Sequence, residues 1–420
     1  MDILDELAID GNLRALAEQA EVDLAPYFKK AEEVCSHNSK KVLRAFINNR
    51  VAYQDFEEIN GYGFFDPSRD KIERVFAESL GAEDALVRPH IMSGTNAIWL
   101  TLSGLLHPGD TLVSITGTPY DPLCNIVGIT GNSKQSLKNN GVKYEQIELT
   151  KDNNFDTKKI TDRIKKGGVT MVEIQRSRGY SHREGMSVSQ IGDIIKEIKK
   201  IDKNVIVMVD NCYGEMVEKL EPTDVGADIM AGSLMHNLGG GIATSGGYIA
   251  GKEKYVAEVA ERLTAPCIGK DLGANYNQSI KFLKGLYLSP QTVLNAVKSA
   301  IFLSYMLNKL GYKNISPRFN QIRTDIVQTF DTGSEEALTK FCQGLQKASP
   351  IDSYVTPIPS EFPGYPHEEV MAAGTFTQGS TIELTCDAPV IAPYTAYMQG
   401  GISYEYSKIA LLSAISNMTR

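Results

Sequence analysis

No stretch of this 420-residue chain approaches the ~20 consecutive apolar residues that a membrane-spanning helix requires. Its opening residues, MDILDELAIDGN, are acidic and carry no apolar run, which argues against a secretory leader. Basic runs are short, such as Lys165-Lys166 and Lys199-Lys200, and the formal net charge is −8. A nucleic-acid footprint needs a concentrated basic surface, so no nucleic-acid partner is expected. The six cysteines are widely spaced and no C-x-x-C occurs, which excludes zinc-ribbon and thioredoxin-like readings. Reduced, mostly buried thiols are the expectation in a chain of this size. The six histidines include no i, i+4 pair, so no metal site is expected. These absences predict a soluble cytoplasmic protein.

What the chain does have is a large apolar fraction, 42%, enough for two or three lobes. Residues 1–60 read as an N-terminal helical segment, ending in a loop rich in glycine and aromatics, NGYGFFDPSRD (60–70). Between 61 and 290 short apolar runs alternate with helical patterns. The strand-like runs are DALVRP (84–89), DTLVSIT (110–116), VTMVEIQ (169–175), NVIVMVDN (204–211), ADIMAGS (227–233) and GGYIAG (246–251). Such alternation predicts an α/β domain, a mostly parallel sheet with helices on both faces and its site at the carboxyl ends of the strands. A smaller α+β domain is expected over 291–420. It should open after Pro290 with a long helix (291–311), followed by TDIVQTFDT, a helix near 335–348 and a strand in STIELTCD.

Three motifs could carry chemistry. In VIVMVDNCYGE (205–215) a strand ends in Asp210, which either caps the following turn or pairs with a cation such as a protonated pyridine nitrogen. In MSGTNAIWL, Ser93-Gly94-Thr95 leads into an apolar helix, as an ordinary cap or as a phosphate cradle. In ITGTPYDP, Tyr120 sits in a turn after a strand, packing on the core or lying over a planar cofactor. Spacing links them: Tyr120 lies 25 residues after Thr95, and His236 lies 26 after Asp210, with Ser233 three before it and a Gly-Gly-Gly run after.

This ordered set resembles the fold-type-I pyridoxal-phosphate (PLP) enzymes of sulfur amino-acid metabolism. More narrowly, the chain resembles the bacterial methionine γ-lyase-like, aluminium-resistance protein family, relatives of the cystathionine β-lyases. GYGFFDPSRD, AEDALVRPHIMSGTNAI, EIQRSRGYSHR, VDNCYGEMVE, GSLMHNLGGGIATSGGYIAG and VMAAGTFTQGSTIEL carry the likeness, over residues 60 to about 401. The resemblance implies that Ser93, Gly94, Thr95 and Ser233 hold the cofactor phosphate, that Tyr120 stacks on the ring, and that Asp210 pairs with its nitrogen. It implies that Tyr62 reaches toward a partner subunit's site in a homodimer or homotetramer. Gln175, Arg176, Arg178 and Tyr180 would line the substrate pocket, the arginines facing a substrate carboxylate or a structural ion pair.

Against that pattern, His236 stands where the family carries the lysine that binds the cofactor covalently. Imidazole cannot form that bond, though it can move protons. Asn96, Thr118, His182 and Ile391 also depart from the family's His, Lys, Trp and Arg. Three readings follow: a carbon–sulfur lyase acting on cystathionine, cysteine or methionine, inactive or altered at His236; an enzyme using PLP or its aminated form (PMP) with His236 as base, dehydratase-like; or a non-catalytic scaffold of this fold. Lys252 and Lys270 are the candidates to replace the missing lysine.

Overall fold

The structure, a computed structural model, describes residues 2–57, 59–181 and 183–419; His182 lies outside the described residues. The chain divides into two compact units, Asn38–Leu288 and the residues before Asn38 together with Ser289 onward. Helices α1 (Ile3–Glu6) and α2 (Gly11–Asn48) fill the N-terminal region. In chain order there follow α3 (Pro67–Ser79), β1 (Asp84–Arg88), α4 (Gly94–Leu105), β2 (Thr111–Ser114), α5 (Asp121–Val127), β3 (Lys143–Gln146), α6 (Thr157–Lys165), β4 (Met171–Gln175) and α7 (Val188–Ile201). Then come β5 (Ile206–Asp210), β6 (Ile229–Ser233), β7 (Gly247–Gly251), α8 (Glu253–Leu263) and α9 (Ser279–Lys309).

The seven strands of the unit Asn38–Leu288 form one sheet, in the order β1-β7-β6-β5-β4-β2-β3. β2 to β6 are parallel, whereas β7 runs against both β6 and β1. The central strands are buried along their whole length, which is why they read as near-continuous apolar runs. One face is covered by α4 and α8, whose Ile98, Leu102, Val256 and Val259 share a core with Met171, Met208, Ile229 and Ile249 of the strands. α7 begins at a capping box, Ser187 with Gln190, and buries Ile191, Ile194, Ile195 and Ile198. Because β4, β5 and β6 are parallel and in register, Gln175, Asp210 and Ser233 finish at one edge of the sheet.

The other unit contains the antiparallel sheet β8 (Val327–Asp331), β12 (Thr395–Gln399), β11 (Thr385–Pro389), β10 (Glu368–Ala372), β9 (Ser360–Glu361), in that order, with helices α10 (Glu335–Lys347) and α11 (Tyr404–Met418). Two elements differ from the sequence reading. Helix α9 begins at Ser279, with Pro290 inside it rather than ahead of it. An internal proline removes one backbone donor, but residues on both sides are buried, Phe282 and Leu286 before it and Ala296 and Ala300 after it. The expected strand in STIELTCD starts only at Thr385. Glu383 ties the preceding segment into a turn, its carboxylate accepting from the N–H groups of Phe376 (2.6 Å) and Thr377 (3.0 Å). Among the described residues no helix is long and apolar enough to cross a membrane.

Candidate active site

The carboxyl edge of β4, β5 and β6 meets the start of α4. Ser93 caps that helix, its hydroxyl accepting from the Asn96 N–H at 3.0 Å, while the other first-turn N–H groups have no acceptor within the helix. Gly94 is pressed against the strand ends: a Cβ there would lie 2.9 Å from Cys212 Sγ and 3.4 Å from Ser233 Cβ. The glycine therefore serves close approach of helix to sheet. Ser233 is fully buried and its hydroxyl accepts from the Met235 N–H at 3.0 Å. Thr95 Oγ1 and Tyr120 Oη are 3.0 Å apart, so the stacking candidate lies across the mouth of the same helix.

Tyr120 is set by Gln175. The Gln175 side-chain oxygen accepts from the Tyr120 N–H at 2.9 Å, and its amide donates to the Ser177 carbonyl at 3.0 Å. Gly179 fits between them, where a Cβ would lie 3.0 Å from Gln175 Nε2 and 3.1 Å from Tyr120 Cβ. Asp210 is buried and accepts from the Cys212 N–H at 3.1 Å. Loss of solvent pushes its carboxyl up to about 6, against the pull of the Cys212 hydrogen bonds and the Arg183 guanidinium. The turn-capping alternative is thus realised, and the carboxyl has no basic partner at hydrogen-bond distance among the described residues.

His236 follows β6. Its ring lies on that of Tyr213 with centroids 4.4 Å apart and planes 16° from parallel. Its Nδ1 is buried and has no hydrogen-bond partner among the described residues, and burial pushes the imidazole down to about 4. The ring is therefore neutral at physiological pH. Asn237, next in the chain, donates to the carbonyls of Tyr213 (3.1 Å) and Glu215 (2.7 Å), tying the turn after β6 to the turn after β5.

Not all expected residues join this group. Arg176 is fully buried and engaged elsewhere, donating to Asn211 Oδ1 (2.7 Å) and Glu218 (2.9 Å), with Glu221 at 3.6 Å. That is the ion-pair alternative. Arg178 is buried, and Tyr180 is half-buried in the same loop. Tyr62 is 73% exposed beside Phe64 and Phe65, its carbonyl accepting from the Gly273 N–H at 2.8 Å. Lys252 is bound to Asp228, and Lys270 to Asp84 and Glu73. Asp84 pairs with Gly251 where β1 begins and β7 ends, so both lysines sit at the sheet edge opposite Asp210 and Ser233. Thr118 accepts from Gln146, the Asn96 side chain accepts from the Met92 N–H, and Ile391 is exposed.

Sequence reasoning missed Cys212 under Gly94, Tyr213 under His236, and the tie from Gln175 to Tyr120. Each lies inside a motif already singled out, but the contacts join separate strands and carry no local signal.

Comparison with known proteins settles the lineage. The methionine gamma-lyase family model matches residues 13–419. The chain belongs to the methionine gamma-lyase family. The uncharacterized protein YnbB of Bacillus subtilis (strain 168) is 42% identical over 417 residues, 99% of each chain. The crystal structure of a carbon-sulfur lyase involved in aluminum resistance from Clostridium novyi NT superposes with a TM-score of 0.95. It is 39% identical, with 99% of this chain and 97% of that one covered. The pyridoxal-5'-phosphate dependent protein YhfS of Escherichia coli shares the fold at a TM-score of 0.60 and 15% identity, over 92% of this chain and 96% of its own. The fold is that of the fold-type-I PLP-dependent enzymes.

Proposed function

We propose that this chain is a carbon–sulfur lyase-type protein for a sulfur amino acid of the cystathionine, cysteine or methionine kind, and that it holds pyridoxal 5'-phosphate without a covalent tether. One arrangement carries the reading. Gly94, Thr95, Tyr120, Asp210 and Ser233 gather at one sheet edge, and the basic residue that follows β6 there is His236.

The residues fit the cofactor. Asp210 is a buried carboxyl held high by lost solvation, and a protonated ring nitrogen is the counter-ion that would let it ionise at neutral pH. The first turn of α4 and the hydroxyls of Thr95 and Ser233 suit a phosphate dianion. When bound, the cofactor supplies an electron sink that acidifies the hydrogen beside a substrate amine. Asp210 would hold the proton on the ring nitrogen. Gln175 would keep Tyr120 over the ring, and Tyr213 would fix the plane of His236. His236 would accept a proton at Nδ1, the unpartnered nitrogen, but it has no primary amine with which to bind covalently. Several charge-assisted bonds of about 1.5–3 kcal/mol each support micromolar retention. Turnover without the amine should fall by several orders of magnitude.

The neutral imidazole, whose buried Nδ1 has no partner among the described residues, also supports a second reading, an enzyme using the aminated cofactor (PMP) with His236 as base. The exposed face of Tyr62, Phe64 and Phe65 is where a second copy of the chain would complete the site, in a homodimer or homotetramer.

The test is a titration with PLP followed by dialysis and borohydride. The expected result is a yellow complex that dialysis bleaches and borohydride does not fix to the polypeptide. A pyridoxyl-labelled lysine peptide would overturn the untethered hold, and no uptake would overturn the reading altogether. Tighter binding of PMP than of PLP would favour the second reading. His236→Lys is expected to gain α-keto acid release from at least one of cystathionine, cysteine and methionine. Absence of turnover in both proteins would leave a non-catalytic scaffold.

A further inference from the structure

Strand β4 carries one acid in its apolar run, Met171-Val-Glu-Ile-Gln175. Glu173 is 1% exposed, and among the described residues neither of its carboxyl oxygens accepts a hydrogen bond of normal geometry, the adjacent Ser114 hydroxyl being turned to the Gly117 carbonyl. An unpartnered carboxyl in a sheet interior is costly, so its position calls for a cause. Register places it between Ser114 of β2 and Met208 of β5. Side chains alternate along a strand, so Glu173 shares a face with Gln175 and, on the neighbouring strand, with Met208 and Asp210. This is the face that α4 and α8 cover. Glu173 thus lies one step behind Asp210, at a diagonal spacing of roughly 7–8 Å.

The titratable and polar groups around it are few. The Ser114 hydroxyl donates to the Gly117 carbonyl at 3.0 Å. Asp210 on β5 and Arg183, from the loop after β4, act on it through their charges. Cys124 on α5 and Tyr144 on β3 are both held above their ordinary values, first by burial and also by the Glu173 charge, so neither is ionised at neutral pH. Burial pushes Glu173 up to about 7; the Asp210 charge adds to that, and Ser114 and Arg183 oppose it.

We infer that Glu173 is a second carboxyl of the cofactor subsite, a positioning residue that strengthens the hold of Asp210 on a protonated ring nitrogen by placing negative charge behind it. The inference rests on the function proposed above. As the solution turns alkaline, Glu173 gives up its proton to solvent. The subsite then carries two negative charges where a lone aspartate supplies one. A second unit charge roughly 10 Å from the ring nitrogen, at an effective dielectric constant of about 20, raises the ring-nitrogen pKa by about one unit. The ring thereby stays cationic at pH values where a lone aspartate would begin to lose it.

Two measurements test this, on wild type and Glu173→Gln. In the protein without cofactor, infrared difference spectra between pH 5.5 and 8.5 should contain a protonated-carboxyl band with a midpoint near neutrality that Glu173→Gln lacks. In PLP titrations, the two proteins should bind alike near pH 6, and by pH 8.5 the variant should bind about tenfold more weakly. Glu173→Met, which continues the column of Met171 and Met208, should behave as the glutamine variant does; a merely structural role would predict that the two differ. A missing infrared component, or superimposable pH profiles of affinity, overturns the inference and leaves the proposed function standing. Failure of PLP to bind wild type at any pH overturns that function, and with it the role of Glu173 toward the cofactor.

Discussion

The imidazole of His236 lies face to face with the phenol ring of Tyr213, 4.4 Å between centroids. Tyr213 reaches that position from a left-handed backbone conformation, φ 69°, unusual for an aromatic residue and found where surrounding structure enforces it. Desolvation alone accounts for the depressed basicity of the imidazole. Tyr213→Ala opens one wall to water, so the His236 midpoint should climb from about 4 toward the ordinary 6.5. Histidine side-chain NMR across pH 3.5–7.5 reads this directly. A midpoint that stays put would assign the desolvation to the other walls.

Gly94 predicts a clash with a specific remedy. Gly94→Ala sets a methyl group 2.9 Å from Cys212 Sγ, and Cys212 is walled in by burial. The substitution should cost about 1–3 kcal/mol of stability and at least tenfold in PLP affinity. Cys212→Ala removes the opposing sulfur. The double variant should therefore recover more stability than the two single changes would give by addition. Strict additivity in thermal melts would refute the packing account.

Asp210→Asn should separate binding from stability. Losing a charge-assisted contact to the cofactor predicts roughly ten- to a hundredfold weaker PLP binding. Without cofactor the same change should stabilise the protein at pH 8, because a buried carboxyl that resists ionisation is replaced by a neutral amide. The rise in melting temperature that PLP brings should therefore be smaller in the variant than in wild type, while the melt without PLP moves up.

Stability without cofactor should fall as pH rises from 6.5 to 8.5. Asp210, Glu173 and Glu215 are raised to about 6, 7 and 8, each chiefly by burial. In that window Glu173 and Glu215 keep protons in the folded protein that the unfolded chain, with ordinary carboxyls, has already lost, whereas the Asp210 contribution is largely spent below it. The stabilisation they bring is complete below the unfolded values and disappears as pH passes the folded ones. His236, shifted the other way, opposes the trend only below about 6.5, where the unfolded histidine takes up its proton. Melting temperatures that rise between pH 6.5 and 8.5 would contradict this assignment.

Local chemistry explains what could be read from the sequence. Strands β4, β5 and β6 are wholly buried, so their apolar runs announced them, and each ends at a polar residue that faces the site. β3 escaped notice because its four residues, Lys143–Gln146, lie at the sheet edge with three of them exposed and no apolar pattern. The opposed direction of β7 was equally hidden, since strand polarity leaves no mark on composition. At the site, residue types and order marked Gly94, Tyr120, Asp210 and Ser233. The partners of Arg176 come from the later turn that carries Glu218 and Glu221, and only tertiary structure joins them. Glu173 did leave a trace, one acid inside an apolar strand, whose meaning depends on its register with Asp210.

Asp228 gathers two amines, Lys199 and Lys252, each at 2.6 Å, on the rim where β6 begins. The opposite rim presents an aromatic nitrogen that aldehydes and ketones do not condense with. A carbonyl compound that reaches that rim therefore meets no primary amine at position 236 and would leave it as it came.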